Sequence, residues 1–207
     1  MRKFIHSWFD ARRLLTTSFV FAVAVLWGGL AWSAETYAID TAHSSVGFAI
    51  KHMMVSTVPG TFDDYKGSIT YDPKDLAAFK AEATIQATSV NTRQAKRDDH
   101  LRSADFFDVA KFPTIIFVSK KFDQDEMGHG SMTGDLTIKG ITKEVSVPVT
   151  IDGPVKSPMG GDAIGLTGSF TLNRQDYGIT WGKAMDGGGL MLGNDVKVDF
   201  SFEAHKQ

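Results

Sequence analysis

Apolar and polar side chains alternate along several segments of the chain. Residues 196–202 carry Val or Phe at every second position and polar residues between them. The same period of two recurs at 132–138, 145–151 and 164–172. Successive side chains of a β-strand point to opposite faces, so each segment predicts a strand with one face toward a core and one toward solvent.

Turn signals separate these segments. Lys139-Gly140 lies between two of them and is typical of a tight hairpin, whereas Asp152-Gly153-Pro154 predicts the start of a longer turn that ends near Gly161. Short connections favour antiparallel neighbours. About eight strands result, which is a number that closes naturally into a small barrel. The additional strands are predicted at 46–50, 62–71, 81–87 and 114–121.

Two short segments interrupt the strand pattern and predict helical turns. Asp72-Pro73-Lys74-Asp75 resembles a helix start with proline in the first position, followed by one or two turns through Ala78. Asn91 and Gln94 resemble a capping box for a helix over 95–104. Because that helix is mostly charged, we expect it on the surface or over an opening of the barrel.

The predicted inward faces combine bulky and very small side chains. An eight-stranded barrel is either filled by its own side chains or holds one slender ligand, and small inward residues favour the ligand. The alternative is that the bulky residues fill the space that the small ones leave. The inward set comprises Phe48, Phe62, Ala81, Ala83, Ala87, Gly134, Gly168, Phe170 and Phe200.

Composition narrows the possible functions. The chain has 207 residues, of which 43% are hydrophobic, and this size suits one domain with one core. It contains no cysteine, which excludes disulfides, thiolate metal sites and cysteine nucleophiles. The formal net charge of −2 gives no indication of a nucleic-acid surface.

The first 33 residues predict an export signal. Basic residues precede an apolar run over 14–27, and Ala31-Trp32-Ser33 places small residues where a signal peptidase acts. We expect cleavage after Ser33, with Ala34 as the close alternative, and a single domain over 35–207. An uncleaved membrane anchor is the other interpretation of the apolar run, and Arg12-Arg13 leaves both the general and the twin-arginine export routes open.

Three consecutive motifs resemble those of the YceI-like family: Thr88-Ser89-Val90-Asn91-Thr92, then 97–107, then Phe112-Pro113-Thr114-Ile115-Ile116-Phe117. The flanking segments fit the same pattern in order, so the resemblance spans nearly the whole chain after the leader. These flanks are His43–His52, Gly60–Phe62, Thr133–Lys143 and Asn173–Ile179.

The resemblance implies a lipocalin-like, eight-stranded antiparallel barrel in the bacterial periplasm. Such a protein would bind and carry a polyisoprenoid or similar long amphiphile in its lumen, with an isoprenoid quinone or a polyprenyl pyrophosphate as candidates. It also implies a cytochrome b561-type membrane partner and a homodimer. Alternatives are a binder of fatty acid or fatty amide, a lipid-modifying enzyme at the barrel rim, and a chaperone-like barrel.

The expected ligand contacts lie in the lumen and at its rim. At the rim, Arg97 or Arg102 could meet a polar head group, or both could belong to a local network that fixes the helix to the barrel. The predicted contact residues are Phe48, Phe62, Ala83, Ile85, Arg97, His100, Leu101, Phe106, Gly134, Leu136, Gly168, Phe170, Trp181 and Phe200. Trp181 could be a lumen wall or a barrel-end plug.

We predict no catalytic residue, no metal site and no cofactor. The spacing of His43, His52 and His100 is not typical of metal ligands. No Gly-x-Ser-x-Gly motif is present, and Asp98 lies two residues before His100 on the predicted helix, where the two side chains face different directions.

Overall fold

The computed structural model describes residues 34–125, 127–158, 160–185 and 188–207; the predicted signal peptide lies outside them. Strands dominate these residues. The strands are β1 (Glu35–His52), β2 (Ser56–Phe62), β3 (Tyr65–Tyr71), β4 (Lys80–Gln86), β5 (Val90–Asn91), β6 (Thr114–Gln124), β7 (His129–Ile138), β8 (Ile141–Lys156), β9 (Asp162–Asn173) and β10 (Leu192–Lys206). One α-helix, α1 (Ala95–Arg102), and short 3-10 turns at Leu76–Ala78, Ala87–Ser89 and Arg174–Tyr177 complete the described elements.

Eight of these strands close into an antiparallel barrel in the order β10-β9-β8-β7-β6-β4-β3-β1, and β1 pairs with β10 to complete the ring. The first part of β1, at 35–38, pairs with β3, and its last part, at 47–52, pairs with β2. The short β5 then continues from β2. The predicted all-β, eight-stranded barrel is confirmed, with β2 and β5 added at one end.

The hairpin between β7 and β8 shows how local sequence sets the register. Lys139 and Gly140 both have positive φ angles, 50° and 75°, as a two-residue turn between twisted strands requires. A Cβ atom on Gly140 would lie 2.5 Å from the ring of Phe112. Gly140 is therefore required both by its backbone conformation and by its close neighbour, and the predicted hairpin is confirmed.

The segment 152–154 is not a turn, contrary to the sequence prediction. β8 pairs with β9 on both sides of it, with Asp152 opposite Gly165 and Val155 opposite Ala163. The extra residues form a bulge in a continuous strand, since Gly and Pro disturb a ladder without ending it. The chain reverses only between Lys156 and Asp162.

The helical segments are shorter than the sequence predicts. The N-cap of α1 is Gln94, whose side chain accepts a hydrogen bond from the Lys96 amide, while Asn91 accepts from the Arg93 amide instead. α1 ends at Arg102, because Ser103 leaves the helical conformation and its hydroxyl donates to the His100 carbonyl. The segment after Asp72 forms only the 3-10 turn Leu76–Ala78.

The two ends of the barrel differ in packing. Large buried side chains fill the end opposite α1, where the rings of Phe79 and Phe122 stack with centroids 4.1 Å apart. Tyr37, Ile69 and Ile164 are almost fully buried there. The end covered by α1 encloses open space. No helix among the described residues has the length and apolar character needed to cross a membrane.

Candidate functional site

A cavity of about 320 Å³ lies inside the barrel at the end covered by α1. This volume is in the range of small-molecule binding sites. The lining comes from β1, β2, β4, β6, β7, β9, β10, α1, the connection between β5 and α1, and the segments that follow α1 and β9. Its side chains are apolar except for those of His52, Thr92, Arg97, His100, Arg174 and Tyr177.

A second, apolar cavity of about 90 Å³ lies next to the first, toward the closed end of the barrel. The same five side chains line both cavities, so the apolar space extends along the barrel rather than ending at one wall. The shared residues are Val46, Ile85, Leu136, Phe170 and Val198.

The structure brings most of the predicted contact residues together around this space. Ala83 and Phe200 line the smaller cavity only, whereas Ile85, Leu136 and Phe170 line both. The predicted residues that line the larger cavity are Phe48, Phe62, Ile85, Arg97, His100, Leu101, Phe106, Leu136, Phe170 and Trp181.

Gly134 and Gly168 line neither cavity, and the expectation that they leave volume inside the barrel is wrong. A Cβ atom on Gly134 would lie 2.6 Å from Cζ of Phe117, and one on Gly168 would lie 2.4 Å from Cζ of Phe200. Aromatic rings on neighbouring strands already occupy the space above both glycines. At these positions the alternative, in which bulky residues fill the gaps, is correct.

Hydrogen bonds fix α1 beside the cavity. The buried carboxylate of Asp98 accepts hydrogen bonds from the amide (2.8 Å) and the hydroxyl of Thr92, which follows β5. Arg102 donates from Nε to the Thr88 carbonyl (2.8 Å) and from Nη2 to the Val90 carbonyl (2.9 Å). Arg102 therefore attaches α1 to the barrel and does not line the cavity.

Arg97 lies on the same helix but lines the cavity. Its Nε donates to the hydroxyl of Thr92 (2.7 Å), and its Nη2 donates to the Thr92 carbonyl (2.8 Å). The remaining terminal nitrogen, Nη1, makes no hydrogen bond or ion pair with any residue that the structure describes. Arg97 is thus held in place by two bonds while it keeps donors for another group.

An aromatic cluster forms one wall of the cavity near α1. The ring of His100 makes edge contacts with Phe106 and Trp181, with centroids 4.9 and 5.0 Å apart. Phe106 and Trp181 also contact each other at 5.3 Å. Nε2 of His100 lies 2.9 Å from Oδ2 of Asp105, which orients the imidazole. Trp181 is therefore part of the lumen wall.

Arg174 is a lining residue that the sequence analysis missed. Only 4% of it is exposed, and burial lowers the pKa of its guanidinium. It donates to the carbonyls of Gly193 (2.8 Å), Ile179 (2.7 Å) and Trp181 (2.7 Å), and to Oδ1 of Asn194 (3.1 Å). Arg174 thereby ties the segment that carries Trp181 to the start of β10.

The lining is better suited to binding than to nucleophilic catalysis. Its two hydroxyl groups belong to Thr92 and Tyr177. The Thr92 hydroxyl is already bonded to Asp98 and Arg97. Burial raises the pKa of Tyr177, which keeps the phenol protonated and a weak nucleophile.

Comparison with solved structures gives the same barrel. YceI of Campylobacter jejuni has a TM-score of 0.63 and 35% identity, with 81% of this chain and 96% of that chain covered. BcnA of Burkholderia cenocepacia has a TM-score of 0.70 and 26% identity, with coverage of 80% and 99%. A polyisoprenoid binding domain from Saccharophagus degradans has a TM-score of 0.65 over 83% of this chain and 98% of that domain; at 16% identity, this similarity shows a common fold only.

Sequence comparison covers the same region. A UPF0312 protein of Staphylococcus aureus strain MSSA476 is 44% identical over 168 residues, which are 81% of this chain and 95% of that protein. The family model for the YceI-like domain matches residues 37–204, from the third residue of β1 almost to the end of β10. The chain belongs to the YceI-like family.

Proposed function

We propose that this protein binds a polyisoprenoid or a similar long-chain amphiphile in the barrel and carries it through the periplasm. The observation that supports this most strongly is the apolar cavity of about 320 Å³, which has polar side chains only at the α1 end. The description of the Saccharophagus degradans domain as polyisoprenoid binding is consistent with such a ligand. An isoprenoid quinone and a polyprenyl pyrophosphate are the candidate ligands.

An apolar wall is sufficient to retain such a ligand. Each buried methylene contributes about 0.8 kcal/mol of transfer free energy. Ordering the chain and losing its translational freedom offset much of that sum. The polar groups therefore do not have to supply most of the affinity, and their role is to orient the ligand.

The position of Arg97 suggests that orientation. Arg97 lines the larger cavity beside α1, and its Nη1 has no partner among the described residues, whereas the smaller cavity beyond is apolar. In our proposal, the tail extends toward Ala83 and Phe200, and the head group remains near Arg97 and His100. Hydrogen bonds to a charged donor are stronger than those between neutral groups, so an anionic or carbonyl head suits Arg97.

A cavity-filling variant tests the proposal directly. Val198 lines both cavities, and Val198→Phe adds a ring to their shared wall. The matched control is Val155→Phe, at a side chain that is 61% exposed. Calorimetric titration with a ubiquinone-type quinone and with a polyprenyl phosphate should show at least tenfold weaker binding to Val198→Phe and no change for Val155→Phe. Equal affinities for wild type and Val198→Phe would contradict the proposal.

The same titration distinguishes the alternative ligands. A fatty acid or fatty amide that binds at least tenfold more tightly than both isoprenoid probes would make the protein a fatty-acyl binder. The enzyme alternative depends on the His100–Asp105 pair near the head group. It predicts chemical change of the bound lipid and loss of that change in His100→Ala, whereas a carrier returns its ligand intact. The cytochrome b561-type partner and the homodimer stay predictions.

A further inference from the structure

A cluster of histidine and carboxylate side chains lies on the outer surface of the barrel, away from the cavity. β1 and β10 pair there to close the ring, with Asp40 opposite Glu203 and Ala38 opposite His205. Phe202 and Ala204 on β10 point inward and are buried, so the alternating residues Glu203 and His205 point outward. Asp40 therefore joins two outward side chains of the neighbouring strand.

The ligand-type atoms of this cluster converge. Nε2 of His205 lies 3.0 Å from Oε1 of Glu203 and 3.8 Å from Oδ2 of Asp40, and all three atoms lie within 4.8 Å of one another. Ligand atoms held about 2.0–2.2 Å from a tetrahedral zinc ion are roughly 3.3–3.6 Å apart. The observed separations require only small side-chain movements to reach that geometry.

Ion pairing alone leaves one atom of the cluster unexplained. Nε2 of His205 is shielded from solvent and makes no hydrogen bond with any residue in the described ranges, even though Glu203 lies within ion-pair distance. A shielded ring nitrogen that makes no hydrogen bond is a feature that a bound ion would explain.

The backbone around Asp40 is shaped to hold the cluster. The pairing of β1 with β10 is irregular between Asp40 and Ser45, and the extra residues form a bulge. Within it, the Ala42 amide donates to Oδ1 of Asp40 (2.9 Å). Nδ1 of His43 donates to Oδ2 of Asp40 (2.7 Å), because an ionised carboxylate only accepts. Second partners of this kind orient ligating carboxylates in metal sites.

We propose that Asp40, Glu203 and His205 form a binding site for a divalent transition-metal ion of the Zn²⁺ type, with His43 as a positioning residue. One imidazole nitrogen with two carboxylate oxygens is a donor set that zinc accepts. Because the ligands come from both β1 and β10, a bound ion would join the two strands whose pairing closes the barrel. This site is independent of the lipid cavity.

Zinc titration tests the site. Isothermal titration of metal-free protein with ZnCl₂ at pH 8 should give one saturable site per chain. His205→Ala and the nearly isosteric Glu203→Gln should each weaken Zn²⁺ binding at least tenfold. The matched control is His129→Ala, because His129 is an exposed histidine that is bonded to Thr150. Absence of saturable binding, or an unchanged affinity in both site variants, would overturn the proposal.

Thermal unfolding gives a second readout. Binding to the folded state alone raises the melting temperature in proportion to the logarithm of the ligand concentration. Excess Zn²⁺ should therefore raise the melting temperature of wild type and of His129→Ala, but not of Glu203→Gln. Mg²⁺ should have little effect, since it disfavours nitrogen ligands. An equal Zn²⁺-dependent rise in wild type and Glu203→Gln would overturn the site.

Discussion

Two arginines of α1 show how closely spaced residues of one type differ in role. Arg102 donates to carbonyls of the segment before the helix, whereas Arg97 lines the cavity and its Nη1 has no partner in the part of the chain that the structure describes. The sequence places both near the rim but does not say which side of the helix meets the barrel. That choice depends on the buried Asp98, whose burial a pattern of charged residues does not reveal.

Arg97→Gln should selectively weaken the binding of lipids with an anionic or carbonyl head. A hydrogen bond to a charged group contributes about 1.5–3 kcal/mol, so we expect at least a tenfold loss of affinity for a polyprenyl phosphate. Binding of a headless isoprenoid hydrocarbon should not change. Lys96→Gln removes the neighbouring, exposed charge and is the control. Equal loss with both lipids would show that Arg97 acts on the helix rather than on the head group.

Arg174→Met should destabilise the fold. The substitution leaves the buried Ile179 carbonyl and the partly buried Gly193 and Trp181 carbonyls without this donor, and an unsatisfied buried group costs about 1–3 kcal/mol. Urea unfolding should show a loss of roughly 3 kcal/mol or more, and Arg174→Lys should not restore it, because an ammonium group cannot reproduce the planar fork. Lys183→Met, an exposed change in the same segment, is the control. A free energy of unfolding like that of wild type would refute this role.

The prediction that Gly134 and Gly168 leave open volume inside the barrel is wrong because it uses residue size alone. Composition shows that a position is small but not which neighbour occupies the space above it. Phe200 lies directly opposite Gly168 across the β9–β10 pair, and only the register reveals that contact. The cluster of Asp40, Glu203 and His205 escaped notice for the same reason, since its members are far apart in sequence.

At the scale of elements, α1 is bonded to the barrel rim and also supplies part of the cavity lining. The sequence predicts a charged helix near an opening, and the structure confirms the helix but shortens it to eight residues. Its hold on the barrel comes from polar bonds through Asp98 and Arg102 in addition to the apolar contacts of Leu101. We expect that weakening these polar bonds loosens the helix without unfolding the barrel core.

Asp98→Ala should loosen α1. The change removes a buried acceptor of two bonds from Thr92, which we expect to increase amide hydrogen exchange over 95–102 about tenfold or more. Lipid release should also accelerate. Asp99→Ala is the control on the same helix, because the Asp99 side chain is 78% exposed and surface ion pairs contribute little. Similar exchange in both variants would contradict this function of Asp98.

The β2–β5 extension should depend on pH. Asp63 accepts hydrogen bonds from Asn91 (2.8 Å) and Thr61 (2.7 Å), and these bonds hold the pKa of its carboxyl below the ordinary 3.8. Because the folded-state pKa lies below the unfolded one, the stabilisation is complete above the unfolded pKa and is lost as pH falls through the folded pKa.

Urea unfolding between pH 5 and pH 2.5 checks this dependence. Wild type should lose stability with falling pH more steeply than Asp63→Asn, whose amide does not titrate. The difference should appear only below about pH 4. Identical pH profiles for wild type and Asp63→Asn would show that these bonds do not contribute to stability.

At the scale of the whole molecule, the barrel follows from period-two segments and turn residues, both of which are local signals. The second pairing of β1 with β2 was not predictable, because an 18-residue strand that contacts different neighbours along its length leaves no local pattern. The bulge at 152–154 shows that a local signal can also predict a turn where the strand continues. Gly and Pro mark a break in the ladder, but long-range pairing decides whether the chain turns there.

Native mass spectrometry of the protein purified from its own organism tests the central claim most directly. We expect a polypeptide that begins at Ala34 or Glu35 and carries one long-chain isoprenoid lipid, which collisional activation releases intact. A polypeptide that consistently lacks any bound lipid, with no lipid in an organic extract of the same sample, would contradict the account.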